Sequence, residues 1–284
     1  MAQPRLVSAS PNFGAVASYV ESLPLQGTIS IWIGLVTGAA CYSHEADAPH
    51  DAASTMKLPL VMAAFDEAAA GRLDLDTQIE VANTFTSALD GSAFSIDRVE
   101  DSDPEVWRRL DGQVSLRWLA YRSLVASSNL ATNLLLAEVG TGPVASLLSA
   151  AGATESMVNR GIEDLAARAA GLHNLITAAD LARLLQSLST STVLSAHDSA
   201  EILDVLAAQQ INDALPAQLP RGVKVAHKSG WNTGVSHDAG IVYPANRDPF
   251  LVVVCTTSDL DEESSLDVIA TTAALAWAQC GDRP

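Results

Sequence analysis

Ser54 and Lys57 place a hydroxyl three positions before an amine in the segment Ala53-Ser54-Thr55-Met56-Lys57-Leu58-Pro59-Leu60. Residues i and i+3 share one face of a helix. A helix through this segment therefore brings the Lys57 amine within reach of the Ser54 oxygen. Serine is a poor nucleophile until a neighbouring base takes its proton. A lysine amine serves as that base when desolvation or a second cation lowers its pKa. Because Ser-x-x-Lys arises by chance in many chains, its weight depends on partners downstream, and two are present. Ser127-Ser128-Asn129 falls at a break between two apolar helical runs. There the Ser127 hydroxyl could relay a proton and the Asn129 amide could hold a substrate amide, although such a triplet alone reads as a helix cap or loop. His227-Lys228-Ser229-Gly230-Trp231-Asn232-Thr233-Gly234 lies between two strand-like runs. Alternation sends Lys228 and Gly230 to one face and Ser229 to the other, and Gly230 allows a ligand close to the backbone. Alone, this stretch reads as a solvated hairpin edge.

These groups need elements to hold them. Phe13, Val16 and Val20 predict a helix over 12–22. Thr28 to Val36 is rich in β-branched residues and predicts a strand. A turn at Thr37-Gly38 leads to a second strand through Ala40–Tyr42. The run from Ser54 to about Gly71 is helical, with Pro59 early in it, where proline costs least. Residues 72–112 are polar and irregular, and Ser115 to Val139 is again helical. Thr177 with Asp180 three residues on resembles a capping box and opens a helix through Leu188. One more helix covers 199–208, strands cover 223–226, 239–243 and 249–255, and an amphipathic helix covers 265–279. Strands thus come from both ends of the chain and helices fill the middle. The expected fold is α+β, an antiparallel sheet built from both termini and flanked by helices, with a central all-helical lobe. The expected division is residues 1–50 plus 200–284 for the discontinuous α/β lobe and 51–199 for the helical lobe, with the active site between them. No internal repeat is visible.

The 284 residues carry a net charge of −17. That charge argues against a nucleic-acid partner, whose binding face is a basic patch, and no basic run suits an anionic membrane surface. No apolar stretch reaches the roughly 18 residues needed to span a bilayer. Met1-Ala2-Gln3-Pro4-Arg5-Leu6 has no basic cluster followed by an apolar run, so a cytoplasmic location is expected as the chain stands, or a secreted one if a leader was removed. Cys41, Cys255 and Cys280 have no metal-ligand spacing, and buried free thiols are expected. No metal or cofactor is implied. His227 and His237 could lie near a cleft, but no Gly-x-Ser-x-Gly elbow is present.

Taken in order, Ser-x-x-Lys, Ser-x-Asn about 70 residues on and Lys-[Ser/Thr]-Gly about 100 residues further resemble the motif set of the penicillin-recognising serine enzymes. Ser54-Thr55-Met56-Lys57-Leu58-Pro59 resembles the Ser-Thr-x-Lys-x-Pro of the class A β-lactamases. Ser127-Ser128-Asn129-Leu130-Ala131-Thr132-Asn133 resembles their Ser-Asp-Asn-x-Ala-x-Asn, and His237-Asp238-Ala239-Gly240-Ile241-Val242 resembles the strand after their lysine motif. The resemblance implies a β-lactamase/transpeptidase-like fold and a small-molecule β-lactam, ester or amide substrate. It implies Ser54 as acylated nucleophile, Lys57 as base or relay, and Ser127 as donor to the leaving nitrogen. It implies Asn129 for the substrate amide, Lys228 and Ser229 for its carboxylate, and the N–H groups of Ser54 and Trp231 as oxyanion hole.

The chain departs from the pattern in the deacylating loop, Arg-x-x-Glu-x-x-x-Asn in that family. Arg160 and Glu163 keep the first spacing, but Ala167 stands where the asparagine belongs, and Ser128 replaces the central aspartate of the second motif. Glu163 holds a hydrolytic water if the loop works. If it does not, the acyl-enzyme persists, and an esterase, a D-alanyl peptidase-like enzyme or a slowly deacylating penicillin binder is the alternative. A non-catalytic ligand-binding or sensor protein is a further alternative.

Overall fold

The computed structural model describes residues 12–281. The N-terminal hexapeptide read above lies outside them. One five-stranded antiparallel sheet organises the molecule: β1 (Gly27–Leu35), β2 (Ala40–His44), β3 (Lys224–Asn232), β4 (Val235–Tyr243) and β5 (Phe250–Ser258), in the order β2-β1-β5-β4-β3. The two ends of the chain meet where β1 pairs with β5 over the full register from Gly27–Ser258 to Leu35–Phe250. The fold is α+β, as the strand-helix-strand distribution predicts.

β1, β4 and β5 are buried almost continuously rather than in alternation, because the sheet is covered on both faces. One face, with Ile31, Ile33, Val252 and Val254, packs on Val16 of the helix Gly14–Ser22 and on Ile269 and Ala273 of the helix Glu262–Cys280. The other, with Trp32, Leu251 and Val253, joins a larger core with Leu60, Leu119, Leu135 and Leu185 of the central helices.

Several expected elements are redrawn. The expected helix from Ser54 begins as a 3-10 turn, Ala53–Met56, and becomes α-helical at Lys57, running to Ala69. The helical stretch from 115 to 139 is two helices, Leu116–Val125 and Asn129–Val139, with the break expected around Ser127 falling at Ala126-Ser127-Ser128. Sequence reading passes over the helix Thr141–Ala150, because Gly140, Gly142 and Pro143 punctuate its start like a turn. The strand expected to stop at 226 runs on to Asn232 and carries the whole Lys228 motif. The irregular region 72–112 contains the short helix Pro104–Trp107, a strand pair of 85–86 with 93–94, and a strand at 78–80 that pairs with 113–115 just beyond it. The cysteine expectation holds for Cys255 alone; Cys41 is exposed and Cys280 half-buried, because each of these two lies at a sheet edge or helix end. No described helix is long and apolar enough to cross a membrane.

The 97–107 segment is fastened to the central helices by a buried ion pair. Arg122 Nε and Nη2 each donate at 2.6 Å to the Asp103 carboxylate, which has no solvent exposure. Removing one partner of such a pair strands a buried charge. Arg122→Met is expected to destabilise the fold by about 3–5 kcal/mol, read by chemical denaturation. Adding Asp103→Leu should recover much of that. A single-variant loss within about 0.5 kcal/mol, the range of ordinary surface changes, would show that the pair does not fasten the segment.

Candidate active site

The turn that presents Ser54 is built from the residues just before it. The Asp51 side chain accepts from Ala53 N at 3.0 Å, Ala52 N donates to Asn174 O at 2.9 Å, and Thr55 Oγ1 donates back to Ala52 O at 2.6 Å. Ala53 is thereby held at φ +43°, a left-handed conformation that a non-glycine residue adopts at a cost. From the sheet, His237 Nε2 donates to Asp51 O at 2.8 Å while its Nδ1 accepts from Thr256 N at 3.2 Å. A Cβ on Gly230 would stand 2.8 Å from Ser54 N. β3 and the serine turn thus meet backbone to backbone, where the resemblance puts the N–H groups of Ser54 and Trp231.

Lys57 follows on the first turn of its helix and is fully buried. Its amine does not bond Ser54. It donates to Ser127 O at 2.6 Å, Asn129 Oδ1 at 2.8 Å and Ser127 Oγ at 3.2 Å. An ammonium has three hydrogens and no lone pair, so these acceptors exhaust it. As a neutral amine it still serves both carbonyl-type oxygens and turns its lone pair to Ser127 Oγ. Burial, reinforced by the Lys228 ammonium, pushes the Lys57 pKa well below the ordinary lysine value, against the pull of Asp101 and Asp103.

Lys228 arrives from β3, buried, and donates to Ser127 Oγ at 3.0 Å and to Ser229 O at 2.7 Å. Burial lowers its pKa to about 7, with Asp238 opposing. Lys57, Ser127 and Lys228 therefore share one oxygen although the sequence separates them widely. Ser229 is buried beside Lys228, and its hydroxyl has no partner within the protein. Trp231 is partly exposed on the cleft.

Ser127 sits at φ +56°. The loop around it is gathered by Asp101, which accepts from Asn129 N at 3.0 Å, Leu130 N at 2.9 Å, Ser128 Oγ at 3.2 Å and Trp107 Nε1 at 2.9 Å. A carboxylate thus stands beside Ser128 after all, reaching in from another segment. Sequence reading missed it because Glu100-Asp101-Ser102-Asp103 looks like any solvated acidic loop. Asn129 has both ends of its amide engaged: Oδ1 takes Lys57, and Nδ2 donates to Glu100 O at 3.1 Å.

Glu163 also reaches the cleft, at φ +61°. Its Oε2 accepts from Asp97 N at 2.7 Å, and its buried Oε1 has no partner within the protein. Burial raises its pKa, with Asp97, Glu100 and Asp101 adding to the effect and the Asp97 N–H opposing it. Two asparagines that sequence reading did not assign hold this loop. Asn133 brackets Ile162, accepting from its N at 2.7 Å and donating to its O at 2.9 Å. Asn174 Oδ1 accepts from Asn159 N and Arg160 N at 2.8 and 3.1 Å. Ala167 is buried in the short helix Leu165–Ala169 and brings no amide to the cleft.

The resulting cleft, about 600 Å3, is lined by Ser54, Ser127, Asn129, Glu163 and Trp231 among others. Neither histidine lines it: His227 is tied to Asp238 and Asn212, and His237 to Asp51 O and Thr256 N. Among the described residues no cluster suited to a metal ion is present.

The model of a beta-lactamase enzyme family matches residues 16–280. The chain belongs to the beta-lactamase enzyme family. It is 28% identical over 172 residues to "Beta-lactamase 3" of Bacillus cereus, covering 59% of this chain and 54% of that one. It is 28% identical over 185 residues to an imipenem-hydrolyzing beta-lactamase of Enterobacter cloacae, 63% of each. The chain thus spans between half and two thirds of the length of these relatives. Among solved structures, a beta-lactamase from Sphaerobacter thermophilus superposes at a TM-score of 0.77 with 24% identity, covering 93% of this chain and 95% of its own. PBP-A superposes at 0.78 with 21% identity and 94% coverage of each. An ancestral class A beta-lactamase superposes at 0.79 with 22% identity, covering 94% and 99%. The fold is therefore the β-lactamase/transpeptidase fold.

Asp101→Asn tests the carboxylate that gathers the Ser127 loop. An amide in its place accepts at one atom only, so at least one of the donors it now serves loses its acceptor. The expected cost is about 2–3 kcal/mol, as for hydrogen bonds to charged groups, seen as a lower denaturation midpoint. An unchanged midpoint would remove Asp101 from this role.

Proposed function

We propose that the chain is a serine hydrolase that opens β-lactam amides through an acyl-enzyme on Ser54. The observation that carries the reading is the convergence of two buried lysines on Ser127 Oγ, next to a cleft that exposes Ser54. In this reading Ser54 Oγ attacks the lactam carbonyl carbon, and its proton passes to neutral Lys57 once the amine swings its lone pair from Ser127 Oγ to Ser54. The Ser54 and Trp231 N–H groups stabilise the oxyanion; one such donor is typically worth about 3–4 kcal/mol. The carbon–nitrogen bond breaks as Ser127 gives its proton to the leaving nitrogen and recovers one from Lys57. Charged Lys228 and the unpartnered Ser229 hydroxyl hold the substrate carboxylate. Asn129 offers its remaining amide hydrogen to the acyl side chain. Glu163, with one oxygen unpartnered and a raised pKa, takes a proton from water to hydrolyse the ester.

Ala167 favours a second reading, in which acylation proceeds and hydrolysis is slow. A PBP-A variant solved as an acyl-enzyme with penicillin G shows that this fold can hold such an adduct. An esterase or D-alanyl peptidase-like activity would use the same acylation groups.

Intact-protein mass after mixing with benzylpenicillin separates these readings. A transient adduct with substrate consumed is expected, and none in Ser54→Ala. A persistent adduct would support slow deacylation. No adduct and no consumption would end the β-lactam reading and leave the esterase.

The lysines also set a pH dependence. kcat/KM reports the free enzyme. Lys228 must be charged to hold a carboxylate, and it loses its charge as pH rises through about 7. Lys57 must be neutral, which its lowered pKa allows. kcat/KM for a monoanionic penicillin is therefore expected to fall as pH rises past about 7. Lys228→Arg, which stays charged, should push that limb to higher pH. A profile flat from neutral to strongly alkaline pH would exclude Lys228 as the carboxylate's partner.

A further inference from the structure

The loop wall of the cleft carries a cation without a counter-ion. Arg160 lines the cleft and is only 7% exposed. Its Nη1 donates to the neighbouring Gly161 O at 3.0 Å, and its Nε is buried with no partner within the protein. Among the described residues no carboxylate oxygen lies within 4.0 Å of its guanidinium. The two acids nearest in charge are committed elsewhere. Asp164 accepts from Ser87 Oγ, Ala88 N and Ala167 N, and Asp51 accepts from Ala53 N and stands 3.7 Å from Arg168. Arg168 lines the same cleft and is about half exposed. Glu163, on the same loop, turns one oxygen away to Asp97 N. Leaving a buried cation unpaired is costly, and a guanidinium fork matches a carboxylate in shape as well as charge. In a chain of net charge −17, a pair of arginines on one wall of a cleft is a local exception.

Ser54 shares the cleft with both arginines; its turn meets β3 at Gly230 on one side and is tied through Asn174 to the Arg160 backbone on the other. We propose that Arg160 and Arg168 form a second anion site, which takes a carboxylate on the acyl side chain of the substrate. The proposal rests on the β-lactam reading: Lys228 holds the carboxylate on the ring side of the scissile bond, so the arginines face the acyl side. The preferred substrates are then dianions carrying an acidic group next to the acyl carbonyl.

The test compares acylation by benzylpenicillin and by α-carboxybenzylpenicillin, which differ by one carboxylate. The readout is the ratio of the two second-order rates. In Arg160→Gln/Arg168→Gln that ratio is expected to fall about tenfold or more towards the monoanion, the scale of one charge-assisted hydrogen bond. The exposed Arg168→Gln alone should fall partway, and it stands in if the double variant does not fold. A ratio unchanged in both variants overturns the site while leaving the hydrolase reading intact. If neither penicillin acylates the native protein, the β-lactam reading has failed, and calorimetry with phenylmalonate against phenylacetate decides the anion site. Tighter phenylmalonate binding that is lost in Arg168→Gln supports it, and equal or absent binding of the two overturns it.

Discussion

Two amines buried within reach of one hydroxyl oxygen are the constraint on which the rest of the site depends. Lys57 and Lys228 both donate to Ser127 Oγ, and both are essentially removed from water. Two ammonium groups in that position repel each other and lose hydration, so the arrangement favours one charge over two. Burial lowers the pKa of both lysines, and in the proposed reaction the neutral amine acts as base while the charged one holds an anion. The same pair makes the site sensitive to its supports. Lys57 is fixed by the helix Lys57–Ala69, Ser127 by a break between two helices and Lys228 by the edge strand β3. Any shift among these three elements pulls the shared oxygen away from at least one amine.

The supports are strained where they meet the cleft. Six described non-glycine residues have positive φ, and Ala53, Ser127 and Glu163 are three of them. Each is held by side-chain hydrogen bonds to the adjoining backbone: Asp51 for the serine turn, Asp101 for the Ser127 loop, Asn133 and Asn174 for the loop of Glu163. Strain of this kind persists only where the surroundings over-determine it. Polar residues on the flanking segments act as the clamps, and apolar packing behind them supplies rigidity.

The departures from the family pattern are redistributed by the fold rather than simply lost. At Ser128 a serine replaces a carboxylate in the motif, and Asp101 returns one in space. At Ala167 no equivalent return occurs, because that residue is buried in a short helix capped by Asp164. Asn133 and Asn174 brace the loop backbone, and neither supplies an amide to the unpartnered Glu163 oxygen. In the proposed reaction the two halves therefore stand on different footings, with the groups assigned to acylation assembled and deacylation resting on one carboxylate.

The sequence by itself determined the α+β class, the return of the C-terminal strands to the N-terminal one, and the three motifs in order. Those features are written in local periodicity and in residue type. β-branched runs read as strands, and a serine three residues before a lysine reads as one helical face. The structure corrected the local geometry of that last reading: Ser54 lies on a 3-10 turn, and Lys57 points to Ser127 and Asn129. Such choices depend on which oxygens lie nearest after folding. Tertiary structure alone decided the placement of Asp101, the unpaired burial of Arg160 and the withdrawal of His227 and His237 from the cleft. Each of these is a contact between segments far apart in the chain, and no spacing within a segment encodes it.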